Sequence, residues 1–145
     1  MPGEGQWRNT YLKFERSLVN RETNLEDRGK IWNSFVFYNY LQCAIETARN
    51  KRDKELYNAA NEAFFQVLEY FQPEIVIVWG KQLWNNIARD NRWTDNDDFI
   101  IDNYDVKNGF YSLSNGKLVK TFAIYHPSAA YQWDFWHSVI EKMTK

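Results

Sequence analysis

A run of apolar, mostly β-branched residues, EIVIVWG at residues 74–80, ends in glycine and is followed directly by a helical pattern. Such a continuous run is typical of a strand covered on both faces, as in a parallel sheet. Apolar residues recur with helical period between Lys54 and Phe71, and Pro73 cannot continue that helix. The aromatic and β-branched run at residues 31–40 predicts another buried strand ahead of the helix. Strand, helix and strand in this order predict a βαβ unit with a right-handed crossover.

The rest of the chain predicts further elements of a single α/β domain covering residues 1–145. These elements are helices at residues 7–18, 81–89 and 130–143, and polar loops at residues 20–30 and 90–105. The dipeptide Asn115-Gly116 lies between two extended runs and therefore predicts a β-hairpin. The six aspartates of the second loop lack the spacing of a calcium-binding loop, so a solvated loop is expected there.

Composition narrows the functional classes. Aromatic residues make up 18% of the chain, which supplies a large core and leaves some rings that could stack on bases or sugars. The net charge of −1 lacks the basic excess of a dedicated DNA-binding protein, although a local basic patch would suffice. The single cysteine, Cys43, predicts neither an internal disulfide nor a metal site. Without a long apolar run or a signal-like start, we expect a cytoplasmic protein that does not enter the membrane.

Three predicted strand ends carry polar or conformationally permissive residues: Asn39, Gly80 and His126. Ligands of open α/β sheets bind outside the carboxyl ends of the strands, so these positions are the candidate site. An asparagine amide offers a donor and an acceptor in one plane, and a histidine can serve as acid, base or neutral donor. Each residue also has a purely structural interpretation, because Asn39 could satisfy a turn and His126 could simply precede Pro127. His137 is more simply a surface or core residue of the last helix.

Three segments in this order resemble the uracil-DNA glycosylase superfamily: FVFYNY at residues 35–40, PEIVIVWGK at residues 73–81, and HPS at residues 126–128. The resemblance covers residues 31–145. It implies a three-layer αβα fold with a short, mostly parallel sheet, a DNA partner that is single-stranded or contains uracil, and hydrolysis without a metal or cofactor. It also implies a role in DNA repair.

The resemblance assigns roles to individual residues. Asn39, with Tyr38 beside it, would bind the Watson–Crick edge of a flipped base, and Gly80 and Ser128 would line the substrate site. His126 would donate a hydrogen bond to the uracil O2 as negative charge develops on the leaving base. The loop that enters the DNA would comprise Ala129, Ala130, Tyr131, Gln132 and Trp133. Tyr131 or Trp133 would replace the bulky aliphatic wedge of the family.

The sequence departs from the family pattern at its start. The family's first motif, a glycine-led loop with an acidic or polar residue, follows an opening strand, and no apolar strand precedes residue 31 here. Residues 3–7 (GEGQW) resemble that loop only weakly. We therefore expect a member that lacks the first strand, or one whose sheet is completed by a second copy or another chain. Two functions follow: a glycosylase that excises a base, or a catalytically inactive module that binds nucleic acid or protein.

Overall fold

The computed structural model describes residues 2–40, 54–129 and 131–145. In chain order, the described elements are α1 (Pro2–Val19), α2 (Leu25–Trp32), α3 (Lys54–Phe71), β1 (Ile75–Trp79), α4 (Lys81–Asn86), β2 (Trp93–Asp95), β3 (Phe99–Ile101), β4 (Tyr104–Val106), β5 (Asn108–Ser112), β6 (Leu118–Ile124) and α5 (Trp133–Thr144). They form two compact units, the first built from residues 1–37 and 124–145 and the second from residues 38–123. The expectation of one domain over residues 1–145 stays a prediction. No described helix has a stretch that is long and apolar enough to cross a membrane.

The first unit is helical. α1 packs against α5, whose buried stripe recurs at helical spacing, as predicted for the last helix. The residues of that stripe are Trp136, Val139, Ile140 and Met143. The predicted N-terminal helix is also confirmed, and it is longer than the apolar spacing indicates, because it begins at Pro2. Residues 3–7 therefore lie in a helix and do not form the glycine-led loop that the family resemblance suggested.

The buried carboxylate of Glu15 holds α2 against α1 through hydrogen bonds. Glu15 of α1 is fully buried and accepts hydrogen bonds from Thr23 Oγ1 at 2.5 Å, Arg28 Nε at 2.7 Å and Trp32 Nε1 at 3.1 Å. A buried charge is tolerated when it is paired and hydrogen-bonded in this way. These hydrogen bonds hold the residue Thr23 just before α2, and Arg28 and Trp32 within α2, against the same residue of α1.

The strand predicted at residues 31–40 is wrong. Ile31 and Trp32 are the last residues of α2, and no strand is assigned in residues 33–40. The reason lies upstream, where Asn24 and Asp27 form a reciprocal capping box that starts a helix inside the predicted loop. Two of the aromatic side chains that suggested a strand pack around Trp32 instead, with the ring of Phe35 at 4.9 Å and that of Phe37 at 6.0 Å. The predicted βαβ unit is therefore absent.

The second unit contains a four-stranded sheet in the order β1-β6-β5-β2. The pairs β2–β5 and β5–β6 are antiparallel, so the α/β class is confirmed but the expected mostly parallel sheet is wrong. Two observations explain the difference: the parallel strand expected from residues 31–40 is missing, and a strand from the aspartate-rich segment pairs with β5. The predicted hairpin of β5 and β6 is confirmed, and its turn needs Gly116, whose φ is +87°.

The aspartate-rich segment, predicted to be a loop, forms three short strands. β2 continues the main sheet, and β3 and β4 form a separate two-stranded sheet. Their turn consists of Asp102 and Asn103 with φ of +48° and +67°, a conformation that these two residue types tolerate well. The signal was hidden because the strands have only three residues each, and β2 and β4 carry polar side chains beside the apolar ones.

One core joins α3 to the main sheet. α3 has the bounds predicted from its periodicity, and it buries Phe64, Phe65 and Leu68. These side chains belong to a cluster that also contains Val78, Trp84, Tyr111 and Val119 from the strands and α4. The strand predicted at residues 74–80 is confirmed as β1, and α4 follows it as expected.

Candidate functional site

His126, Pro127 and Ser128 form a tight turn directly beyond β6 in the first unit. The Ala129 amide donates to the His126 carbonyl at 2.9 Å, which closes a four-residue turn. Pro127 is at the second position of that turn, where its fixed φ is favourable, and it is fully buried. His126 and Ser128 lie at the surface on either side of it. The turn therefore presents both polar side chains from an anchored backbone.

The contacts of His126 determine where its proton resides. Its Nδ1 lies 3.1 Å from the Ser128 amide nitrogen and 2.7 Å from Ser128 Oγ. A backbone N–H can only donate, so Nδ1 is the acceptor and the neutral ring carries its hydrogen on Nε2. Although His126 lies at the surface, part of its ring is covered, and this partial desolvation lowers the pKa of His126 below its usual 6.5, so the neutral form dominates at pH 7. The result is a neutral imidazole that donates from Nε2.

The loop after this turn is held against α1 and α5. The Ala129 carbonyl accepts a hydrogen bond from Lys13 Nζ at 3.2 Å. Tyr131 is buried, its ring is stacked on Trp136 at 5.6 Å, and its hydroxyl donates to Ser17 Oγ at 2.7 Å. A DNA-inserting role for Tyr131 would require it to leave this position. Gln132 is exposed and Trp133, half-buried, begins α5, while Ala130 lies outside the described residues.

The other predicted site residues, Tyr38, Asn39 and Gly80, belong to the second unit. Asn39 is exposed and follows no strand, which removes the strand-end argument but leaves its amide accessible. Tyr38 stacks on Phe64 with ring centroids 6.5 Å apart, and its buried hydroxyl has no hydrogen-bond partner among the described residues. Gly80 follows β1 as predicted, and its φ of +95° is one that glycine adopts without strain.

The second unit also contains a hydrogen-bond network of two buried tyrosines, Tyr40 and Tyr111, which the sequence did not reveal. Tyr40 accepts a hydrogen bond from the Ala88 amide at 3.0 Å and donates to Asn61 Oδ1. Tyr111 donates to the Ala88 carbonyl at 2.7 Å, so both backbone groups of one residue are held by buried hydroxyls. Burial raises the pKa of Tyr40 to about 12 and that of Tyr111 further, so both remain protonated donors. The network orders the chain after α4.

Lys13 is also a residue that the sequence analysis missed. It contacts the loop from 116 residues away in the sequence, and no local pattern relates the two positions. Its side chain is a cation beside the His126–Ala129 turn, which is the location a phosphate-binding residue would need. Among the described residues, no group of three or more His, Cys, Asp or Glu side chains could hold a metal ion.

Comparison with known proteins gives no matching family model, no similar curated protein and no similar solved structure. We therefore infer the function from the geometry within each unit and from the motif resemblance.

Proposed function

We propose that this protein is a uracil-DNA glycosylase-like protein that binds a flipped base in single-stranded or uracil-containing DNA and hydrolyses its N-glycosidic bond. The observation that carries the proposal is the His126–Ser128 turn, in which the Ser128 amide fixes a neutral histidine with its hydrogen on Nε2. A neutral donor suits a leaving base, because its hydrogen bond strengthens as negative charge develops on the carbonyl oxygen.

The reaction balances with water as the only co-reactant. The bond between the sugar C1′ and the base nitrogen breaks, and its electron pair leaves with the base as an anion. His126 Nε2–H stabilises the charge on O2 of that anion. Water adds to C1′ and loses a proton to solvent, and the base anion takes up a proton from solvent, so the products are the sugar hydroxyl and the neutral base. Lys13, whose Nζ donates to the Ala129 carbonyl of the same turn, would contact a neighbouring phosphate.

A second candidate function is a catalytically inactive module that keeps base or protein binding. It is favoured by the position of Glu4, the acid of the weak glycine–acid resemblance, which lies within α1 and not in a loop. If residues 3–7 supply no loop carboxylate to orient water, the turn could still bind a carbonyl-bearing base while hydrolysis failed.

Base release decides between the two functions. Uracil-containing oligonucleotides, single- and double-stranded, are incubated with the protein and cleaved with alkali at abasic sites. His126→Ala should abolish release, whereas His137→Ala, a histidine of α5, should retain it. Circular dichroism establishes that both variants fold.

Oligonucleotide affinity is measured in parallel by fluorescence anisotropy. Binding without release, weakened by both His126→Ala and Asn39→Ala, would support the inactive module. Equal behaviour of all variants and the unaltered chain in both assays would contradict both functions.

A further inference from the structure

The hairpin of β3 and β4 exposes two apolar side chains that are adjacent in the sequence. Ile101 and Val106 are buried, but Phe99 is 45% exposed and Ile100 is 65% exposed. Ile100 lies opposite Asp105 in the antiparallel register, so an apolar side chain and a carboxylate share one face. A short sheet with this much uncovered apolar surface is typical of an interaction site.

The same hairpin is strongly acidic. Residues 95–105 contain five aspartates and no lysine, arginine or histidine. Asp98 pairs with Lys107 at 2.5 Å, and Asp95 accepts from the indole of Trp93 at 2.7 Å. Asp97, Asp102 and Asp105 form no ion pair with any residue that the structure describes. Their charges are therefore available to a cationic partner.

The backbone of β3 offers a third element of recognition. Within the described residues, β3 pairs with β4 alone, so its other edge has no neighbouring strand. An extended peptide can add to such an edge, with its backbone providing affinity and alternate side chains providing specificity. The aspartates at this edge discourage pairing between identical copies.

We propose that the β3–β4 hairpin is a docking site for an extended, basic segment of another protein. Apolar residues of that segment would cover Phe99 and Ile100, and its lysines or arginines would face Asp97, Asp102 and Asp105. Charge complementarity selects this occupant. DNA would be repelled by the aspartates, and a second copy of this chain would place the same carboxylates opposite one another. The proposal is independent of the glycosylase-like function.

A synthetic probe tests the proposal directly. A fluorescein-labelled peptide of repeated Lys-Lys-Val-Val, which presents both lysine and valine on each face of an extended strand, is titrated with the full chain, and a peptide with glutamate in place of lysine serves as the charge control. We expect the basic peptide alone to bind, with an affinity that falls as salt increases. Ile100→Thr keeps a β-branched residue and should weaken binding about tenfold. Asp102→Asn with Asp105→Asn should weaken it about fivefold, and asparagine preserves the turn.

Two substitutions outside the hairpin serve as matched controls. Leu118→Thr removes another exposed apolar side chain of a strand, and Glu22→Gln removes an exposed carboxylate; both should leave the affinity unchanged. Equal binding of the two peptides would overturn the proposal, as would hairpin variants that bind like the controls. Sedimentation that shows a dimer dissociated by Ile100→Thr would overturn it in favour of a second copy. Oligonucleotide binding weakened by Ile100→Thr would overturn it in favour of DNA.

Discussion

Arg28 of α2 donates from Nε to the buried carboxylate of Glu15 at 2.7 Å, and this ion pair holds the two helices of the N-terminal segment together. Arg28 retains about a third of its exposure, while Glu15 has none. The arrangement is therefore asymmetric, because the carboxylate depends on its partners far more than the guanidinium does.

Glu15→Gln tests this dependence. The amide cannot satisfy three donors equally and leaves Arg28 without its counter-charge, so we expect the free energy of unfolding to fall by about 2 kcal/mol. Urea denaturation followed by tryptophan fluorescence measures the change. Glu26→Gln is the control, because Glu26 pairs with Lys30 on the exposed surface at 3.2 Å and such pairs contribute less than about 1 kcal/mol. Equal effects of the two substitutions would contradict the role of Glu15.

Replacing glycine with alanine should have opposite effects on stability at Gly109 and at Gly29. A Cβ at Gly109 of β5 would lie 2.3 Å from the Trp93 ring and 2.6 Å from the Thr94 carbonyl oxygen. Backbone and indole cannot both retreat within the paired strands, so Gly109→Ala should destabilise the protein by about 3 kcal/mol or more. At Gly29 within α2 nothing lies within 4 Å, and alanine is the better helix former. Gly29→Ala should therefore stabilise it by up to about 1 kcal/mol, and thermal denaturation of both variants gives the comparison.

These elements also show how far the sequence could predict the structure. The presence of α3, β1 and the β5–β6 hairpin follows from local periodicity, proline and turn residues, and it is confirmed, although only α3 has the predicted bounds. Residues 31–40 carry a strand-like composition, but the capping box at Asn24 and the contact of Trp32 with Glu15 select a helix and an aromatic cluster. Tertiary contacts overrode local preference there, and the antiparallel sheet followed from that outcome.

The candidate site likewise has one part that the sequence could predict and another that it could not. The turn at His126–Ser128 was predictable because three adjacent residues define it. The burial of Tyr131 was not, since it depends on Trp136 and on Ser17, which is 114 residues away in the sequence. The Tyr111 contact with Ala88 likewise joins β5 to the segment after α4, and no sequence pattern relates the two.

Tyr111→Phe isolates one hydrogen bond of the buried tyrosine network. The phenyl ring preserves the packing, but the Ala88 carbonyl loses its donor, so the free energy of unfolding should fall by about 1–2 kcal/mol. Tyr70→Phe is the matched control, because Tyr70 is 81% exposed, and it should change stability by less than about 0.5 kcal/mol. Chemical denaturation gives both values, and a loss no larger than that of the control would contradict the proposed contribution of this bond.

The pH dependence of His126 follows from the direction of its pKa. Burial lowers that pKa below 6.5, so between 6.5 and the lower folded value the unfolded chain binds more protons than the folded one. The contribution of His126 is therefore fully present above about pH 6.5 and is lost as the pH falls through the folded pKa. Thermal denaturation of the unaltered chain and of His126→Gln should show a steeper acid decline in the former. Nuclear magnetic resonance titration of the His126 ring gives the pKa itself, and a value at or above 6.5 would contradict the neutral donor on which the proposed chemistry depends.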